Sequence, residues 1–357
     1  MFNKRSPLSL SLAVLLLFPC QILAQRTLTQ TVLVEDTTRE YLVYLPADLN
    51  ATQSIPILFC FHGGDMSAEE MMRLADFRPL ANSNRFIVVY PKGLIYEGAT
   101  HWNSEGPYDN GTDEIGFARA MIDALVSNYG ADRNRVYACG FSLGGNLMWD
   151  YACLLGDRFA AVASVAASMW QWTRRDCATT IRTGILSIHG TNDFYNPYNG
   201  NQYSVSIDQL NNHWVTINGI QDPPLTSNVG RGVTRYLWEQ ENVCHTVEHY
   251  RIERGEHEWP SFSTQVIWDF VSRYDSNGLI GCGTPAELII NAYQPETGEL
   301  TITVSNLPEG RFELRKTSSG TFDFNSPGIN IDRNTSFPLT IENIRDDALI
   351  LQIFEKP

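Results

Sequence analysis

The sequence predicts an α/β fold in which a doubly wound, mainly parallel sheet is followed by a small all-β sandwich. Short, continuous apolar runs such as residues 55–61 alternate with stretches whose apolar residues recur at helical spacing. After Cys282 the helical period disappears, and short alternating runs are separated by Gly, Pro, Asn and Asp turns. We therefore expect an α/β domain over residues 25–282 and a β-module over residues 283–357, with a linker at 281–285.

Each predicted element rests on periodicity together with residues that start or stop it. A helix is predicted over 67–75, with Ser67 as its cap, and a second begins at Asp113 and ends at Gly130. A third, amphipathic helix is predicted over 264–274, and the polar, Gly-rich residues 96–112 predict a long surface loop. The predicted strands of the first domain are 28–34, 41–44, 55–61, 86–90, 135–140, 159–166, 185–188 and 247–252. Those of the second are 299–304, 311–315 and 348–353.

Residues 1–24 have the pattern of an export signal. Lys4 and Arg5 precede an apolar core over residues 8–18, and Ala24 offers a small residue for cleavage before Gln25. The apolar core is too short to span a membrane, and no later segment is long and apolar enough to do so. Bulky residues before Cys20 argue against lipid attachment. We expect a secreted or cell-surface protein without membrane insertion.

Charge and cysteine content restrict the classes of partner. The formal net charge of −14 argues against nucleic acid, because phosphate binding needs basic patches. Cys60 and Cys139 lie inside apolar strands, so we expect them to be buried and reduced. The other four cysteines of the exported chain allow three pairings. Our preferred pairing joins Cys153 to Cys177 and Cys244 to Cys282. None has metal-site spacing, so we expect no metal.

The most informative motif is Gly140-Phe-Ser142-Leu-Gly144, which a predicted strand enters and a predicted helix leaves. This is G-x-S-x-G in a strand–turn–helix context, the nucleophile elbow of α/β-hydrolases. Gly140, Gly144 and Gly145 permit the close backbone approach that such a turn requires. Ser142 would lie at a helix N-terminus, where free N–H groups favour developing negative charge. We therefore predict Ser142 as the nucleophile.

A serine nucleophile needs a base, and the base needs an orienting carboxylate. In α/β-hydrolases these partners follow in the order Ser, Asp, His. Asp193 follows an apolar strand, and His257 follows a strand end further along. Asp208 and Asp222 are weaker candidates for the acid. The remaining histidines lie before the elbow or within predicted strands and helices: His62, His101, His189, His213, His245 and His249.

The oxyanion hole should consist of two backbone N–H groups. One belongs to the residue after the nucleophile, Leu143. The second is expected from the loop that follows strand 55–61, where the sequence reads His62-Gly-Gly-Asp65. We select Gly64 as this second donor.

Several segments together resemble the secreted polyhydroxybutyrate-depolymerase and feruloyl-esterase-like family of α/β-hydrolases. The resemblance spans roughly residues 30 to 275 and implies Ser142 as nucleophile, Asp193 as acid and His257 as base. It also implies that Trp102 and Trp259 border the acyl pocket. The segments that carry it are His62-Gly-Gly, Val88-Val-Tyr-Pro91, Trp102-Asn103, Asp113-Glu-Ile-Gly-Phe117, the elbow, His189-Gly-Thr-Asn-Asp193 with Pro197-Tyr198, and His257-Glu-Trp-Pro260.

Many aromatic residues lie in or beside the predicted loops around the elbow, and we take Trp102, Tyr198 and Trp259 as candidates for substrate binding. Such a cluster suits a flat phenolic acyl group or a polymer chain. The aromatic residues are Tyr96, Trp102, Tyr108, Trp170, Trp172, Tyr195, Tyr198 and Trp259.

The chain departs from the family pattern at Gly64-Asp65 and at Glu256, which leaves the substrate open. A small-molecule or polymeric ester is expected, with phenolic esters of plant cell walls preferred and polyesters second. A serine peptidase and a non-catalytic surface binding protein are the alternatives from other classes. The predicted chemistry requires no cofactor.

The C-terminal module weakly resembles the sorting domains of the type IX secretion pathway. Residues 292–302 and 307–312 carry this resemblance, whereas the final residues 354–357 fit it poorly. It implies the secretion machinery as a partner. A carbohydrate- or polymer-binding sandwich is the competing interpretation.

Overall fold

The computed structural model describes residues 26–47, 49, 54–104 and 111–282, together with six strands of the C-terminal part. The predicted export signal and most of the predicted linker lie outside the described residues. Among the described residues, no helix has both the length and the apolar character needed to cross a membrane.

The central sheet has ten strands, ordered β1-β2-β4-β3-β7-β8-β9-β12-β11-β10. The six inner strands, β4 to β12 in that order, pair in parallel, and the outer strands pair antiparallel. This confirms the predicted mainly parallel sheet. The strands are β1 (Arg26–Val34), β2 (Thr37–Leu45), β3 (Ile57–Phe61), β4 (Ile87–Pro91), β5 (Leu94–Tyr96), β6 (Ala99–His101), β7 (Val136–Phe141), β8 (Ala161–Val165), β9 (Gly184–Gly190), β10 (Leu225–Gly230), β11 (Val233–Gln240), β12 (Val243–Ile252), β13 (Tyr274–Asp275) and β14 (Gly278–Leu279).

The two helices that were predicted from their capping residues lie where those residues predict. Ser67 forms a capping box with Glu70, the Asp113 carboxylate accepts the Gly116 N–H, and Gly130 adopts a left-handed φ of 65°. The helices are α1 (Ala68–Leu74), α2 (Arg78–Asn84), α3 (Glu114–Tyr129), α4 (Leu143–Leu154), α5 (Gln171–Asp176), α6 (Ile207–Asn218) and α7 (Ser263–Val271).

Helices cover both faces of the sheet and bury two apolar clusters. In β3, Phe59 belongs to one cluster and Leu58 to the other, because successive side chains of a strand point to opposite faces. The first cluster includes residues of α3, α4 and α6, and the second includes residues of α1, α2 and α7. This two-sided burial explains why the inner strands are continuously apolar, and it confirms the predicted doubly wound α/β-hydrolase fold.

Both predicted disulfides are present, between Cys153 and Cys177 and between Cys244 and Cys282. Cys60 and Cys139 are free and buried, also as predicted. The first disulfide joins the last turn of α4 to the C-terminal cap of α5.

Three local predictions were wrong. The predicted loop over 96–112 contains a short hairpin, β5–β6, in its described part. Strands β10 and β11 extend the sheet where no strand was predicted; β10 is exposed along its whole length and so lacks an apolar pattern. Helix α7 ends at Val271, and Tyr274 instead begins β13.

The described C-terminal strands form two antiparallel three-stranded sheets, in the orders β15-β16-β19 and β18-β17-β20. These are all strands, in agreement with the predicted all-β module; their packing as a sandwich and the domain boundary at 282 stay predictions. The strands are β15 (Glu287–Gln294), β16 (Glu299–Ser305), β17 (Arg311–Thr317), β18 (Ile329–Asp332), β19 (Leu339–Ile341) and β20 (Ile350–Glu355).

Candidate active site

Ser142 lies in the sharp turn between β7 and α4, with φ 53° and ψ −120°. A non-glycine residue at positive φ is strained, and nucleophile elbows store such strain at their serine. Gly144 makes the turn possible, because a Cβ at that position would lie 2.5 Å from the carbonyl oxygen of His62. The predicted role of small residues around Ser142 therefore has a direct steric cause.

The structure brings the three predicted catalytic side chains together. Ser142 Oγ lies 2.9 Å from His257 Nε2, and His257 Nδ1 lies 2.8 Å from Asp193 Oδ2. The three residues follow β7, β12 and β9, whose carboxyl ends meet at one edge of the sheet. With Nδ1–H donated to the carboxylate, Nε2 can accept the serine proton, which is the geometry that general-base activation needs.

Asp193 is 5% exposed, and its carboxylate accepts hydrogen bonds from His257 Nδ1–H and from the Asn196 N–H. Burial alone would raise its pKa, but contacts with His189 and His257 and the Asn196 N–H lower the pKa well below its usual value. Asn196 N–H donates to Asp193 Oδ1 over 2.8 Å, and His189 Nε2 lies 3.4 Å from Oδ2. The carboxylate therefore stays charged while it orients His257.

His189 supports the loop of Asp193, as its position within a strand predicts. Its Nε2–H donates to the Asn196 carbonyl oxygen over 2.7 Å, and the side chain is buried. His189 is thus a second histidine beside Asp193, and the sequence marks it only through its position at the end of an apolar strand.

His62 fixes the loop that carries the predicted second oxyanion donor. Its Nδ1–H donates to the Gly63 carbonyl oxygen over 2.7 Å, and its Nε2 accepts the Gly93 N–H over 3.0 Å. Burial lowers the pKa of His62, which favours this neutral tautomer. The indole N–H of Trp102 donates to the His62 carbonyl oxygen over 2.8 Å and so holds the same loop.

The predicted oxyanion residues are neighbours. A Cβ built on Gly64 would lie 3.7 Å from Leu143 Cδ2, and one on Gly63 would lie 3.3 Å from the Cβ of Ser142. Within the described part of the chain, neither the Gly64 nor the Leu143 amide has a backbone hydrogen-bond acceptor. Their assignment as oxyanion donors stays a prediction.

An apolar pocket of about 250 Å³ opens beside Leu143. Trp170 and Trp172 stack on each other in its wall, with ring centroids 5.1 Å apart and planes 17° apart. Trp172 Nε1–H donates to the Ser104 carbonyl oxygen over 3.0 Å, which fixes the ring. The pocket is lined by His101, Trp102, Asn103, Ser104, Leu143, Trp170, Trp172 and Tyr203. Tyr203 is a lining residue that sequence reasoning did not select.

Of the three predicted substrate-binding aromatics, Trp102 alone lines this pocket. Trp259 is 9% exposed and packs edge-on against Phe77 and Phe141, with its N–H donated to Thr264 Oγ1. Tyr198 lines a separate pocket of about 450 Å³, where its hydroxyl pairs with His249 Nε2 over 2.9 Å. Neither Tyr198 nor Trp259 therefore lines the Leu143 pocket.

One group of potential metal donors occurs among the described residues, formed by Cys153, Cys177 and His213. Its two sulfurs are joined as a disulfide, so they lack the free thiolates that bind metal.

The sequence profile of the Prolyl oligopeptidase family matches residues 77–226. Among curated relatives, a bifunctional acetylxylan esterase/xylanase of Neocallimastix patriciarum is 25% identical over 73% of this chain and 37% of its own length. Feruloyl esterase B of Piromyces equi is 26% identical over 66% of this chain and 45% of its own length. A putative esterase of Nocardia uniformis subsp. tsuyamanensis is 32% identical over 49% of this chain and 51% of its own length.

The chain thus spans about half, or less, of the length of these curated relatives. Among solved structures, an acetyl xylan esterase from Aspergillus awamori superposes with a TM-score of 0.54 at 16% identity, covering 68% of this chain and 98% of that one. At this identity the likeness shows the fold alone. Fold and site together define a protein of α/β-hydrolase architecture with an assembled Ser-His-Asp arrangement.

Proposed function

We propose that this protein is a serine carboxylic ester hydrolase whose preferred substrates are esters of aromatic acids. The observation that carries the proposal is the continuous chain of hydrogen bonds from Ser142 through His257 to Asp193. The apolar pocket beside Leu143 supports the aromatic preference. The similarity to proteins named feruloyl and acetylxylan esterases is consistent with both parts.

The proposed reaction has two halves. Ser142 Oγ attacks the ester carbonyl while His257 Nε2 takes its proton, and Asp193 stabilises the resulting imidazolium. The Leu143 and Gly64 amides would bind the oxyanion. The C–O bond to the alcohol breaks as His257 returns the proton to it, leaving an acyl-enzyme. Water then attacks the acyl carbon with His257 again as base, which releases the acid and restores Ser142.

The apolar pocket supports a position for the acyl group. A carbonyl oxygen directed at the Leu143 amide leaves the acyl group near the Leu143 side chain, which lines the apolar pocket. The stacked rings of Trp170 and Trp172 offer flat walls for an aromatic ring. We therefore place a phenolic acyl group there, as in the hydroxycinnamate esters of plant cell walls. An aliphatic or aromatic polyester is the second candidate.

A substrate panel tests the proposal. It compares hydroxycinnamate methyl esters, short aliphatic acyl esters, polyhydroxybutyrate, an aromatic polyester and a peptide amide, with the wild type and with Ser142→Ala. We expect the fastest turnover on hydroxycinnamate esters and a loss of about 10⁴-fold or more in kcat in the variant. Equal ester turnover by wild type and variant, with both folded by circular dichroism, would refute the assignment of Ser142.

A serine peptidase is the alternative function, because the Prolyl oligopeptidase family profile matches residues 77–226. A peptidase uses the same three side chains, so the site geometry alone does not separate the two activities. The peptide amide in the panel does: faster cleavage of the amide than of the esters would favour the peptidase.

Export and the role of the C-terminal part complete the proposal. We place the protein outside the cell, supported by the sequence of residues 1–24 and by two disulfides, which form in oxidising compartments. We assign residues 283–357 to sorting through a secretion machinery or to polymer binding. Export by the producing cell of the full chain, compared with a chain that ends at residue 282, tests the first role.

A further inference from the structure

Two large aromatic side chains directly follow Asp193 and are left in solvent. Phe194 is 88% exposed and Tyr195 is 76% exposed. The Tyr195 ring centroid lies 5.0 Å from that of His257, and Phe194 meets Tyr195 edge-on at 6.1 Å. Single exposed apolar residues are common, but two adjacent exposed aromatic rings beside a reactive side chain indicate a surface that contacts a ligand. We call Phe194 and Tyr195 the aromatic platform.

The backbone beneath the aromatic platform is fixed. Asn192 N–H donates to the Gly255 carbonyl oxygen over 2.9 Å, and Asn196 N–H donates to Asp193 Oδ1 over 2.8 Å. His189 Nε2–H donates to the Asn196 carbonyl oxygen over 2.7 Å. A ligand that stacks on the platform therefore meets preorganised rings and orders little backbone on binding.

The chemistry of ester cleavage places the alcohol next to this platform. His257 Nε2 must reach the departing oxygen to return its proton, so the alcohol lies within hydrogen-bond range of the imidazole. The proposed function puts the acyl group in the pocket beside Leu143, whose lining includes neither His257 nor Tyr195. Tyr195 contacts His257 and does not line that pocket. The platform therefore flanks the alcohol and not the acid.

We propose that Phe194 and Tyr195 determine specificity for the alcohol, selecting esters of ring-shaped alcohols such as sugars over esters of small alcohols. This proposal rests on the proposed ester hydrolase function. The face of a sugar ring carries C–H bonds that pack on an aromatic face, while its hydroxyl groups remain in water. An alcohol as small as methanol has no face to stack and gains nothing from the platform.

The test uses two esters of one hydroxycinnamic acid, a methyl ester and a sugar ester, so that the acyl half is constant. For Tyr195→Ala we expect KM for the sugar ester to rise roughly threefold to tenfold, and KM for the methyl ester to stay within about twofold. Tyr195→Phe keeps the ring and should restore the wild-type ratio. Leu33→Ala, at a residue of β1 that is 68% exposed, is the control for removing an exposed apolar side chain.

Three results would count against the proposal. An equal rise in KM for both esters would overturn it. An unchanged KM for the sugar ester in both Tyr195→Ala and the Phe194→Ala/Tyr195→Ala double variant would overturn it as well. A fall in kcat on both esters with a shifted pH profile would show that Tyr195 only positions His257. Failure of the wild type to hydrolyse either ester would refute the ester hydrolase itself, and so differs from failure of the specificity proposal alone.

Discussion

The disulfide between Cys153 and Cys177 joins the nucleophile helix to the wall of the aromatic pocket. Cys153 lies in α4, which starts directly after Ser142, and Cys177 caps α5, which carries Trp172. The two helices have a second tie, a 2.6 Å hydrogen bond from Thr173 Oγ1–H to Asp150 Oδ1. Loss of the disulfide removes the covalent tie and leaves the segment of Trp172 held by weaker hydrogen bonds, so we expect it to affect both stability and the geometry of the pocket.

The size of the stability effect follows from the length of chain between the cysteines. With a sequence separation of 24, loss of the cross-link in Cys153→Ser/Cys177→Ser lowers the free energy of unfolding by about 3.5 kcal/mol through chain entropy. The separation of 38 between Cys244 and Cys282 gives about 4 kcal/mol for the corresponding double variant. The second variant is thus a control of similar stability cost.

Urea unfolding and steady-state kinetics on a hydroxycinnamate methyl ester measure the two effects. We expect both double variants to lose stability, and only Cys153→Ser/Cys177→Ser to lose about tenfold in kcat/KM as Trp172 becomes less well positioned. Equal kinetic losses in the two variants would refute the link between this disulfide and the pocket. Unchanged stability in both would refute the chain-entropy estimate.

Two further predictions concern buried charge. Asp193→Asn should lower kcat by about 10⁴-fold with the fold retained, since the amide supports the wrong tautomer of His257. Because the fold lowers the pKa of Asp193 below its ordinary value of 3.8, the ionised carboxylate stabilises the fold at pH values above 3.8, and this stabilisation is lost progressively as the pH falls below 3.8. Urea unfolding between about pH 5 and pH 2 should therefore show a smaller drop in the free energy of unfolding for the variant than for the wild type. Arg39→Met should cost about 3–5 kcal/mol in unfolding free energy, because it strands the Glu114 carboxylate 2.9 Å away in a buried site. Burial already raises the pKa of Glu114, so the loss of unfolding free energy should become smaller at lower pH, where Glu114 is protonated. The double variant Arg39→Met/Glu114→Leu should recover part of the lost stability, and no recovery would contradict the buried-pair explanation.

The elements around the reacting atoms were predictable from sequence because their chemistry dictates local signatures. The elbow needs small residues at fixed offsets from Ser142, and the acid and base must follow strands that end at the same sheet edge. Asp193 and His257 satisfy this requirement, and the structure joins them by a 2.8 Å contact. Which cysteines form disulfides was predictable for a related reason, since apolar strand context removed Cys60 and Cys139 from consideration. The sequence left three pairings of the other four open, and the structure contains the preferred one.

The walls of the candidate substrate pocket were less predictable, because they depend on the direction in which each loop side chain points. Trp259 follows His257 by two residues, but its N–H finds Thr264 and its ring turns into the core against Phe77. Tyr198 is drawn toward His249, a partner distant in sequence. Residue spacing in the sequence does not predict these side-chain contacts. The exposed strand β10 was not predicted because it has no buried face and therefore no apolar pattern in its sequence.

The most direct test of the central claim is to trap the covalent intermediate. The protein is mixed with an activated ester of a hydroxycinnamic acid, quenched in acid during turnover, digested and analysed by mass spectrometry. We expect one acyl group on the peptide that contains Ser142, and none on that peptide from Ser142→Ala. Rapid turnover with no acyl group on Ser142, or with the acyl group on a different residue, would contradict the account.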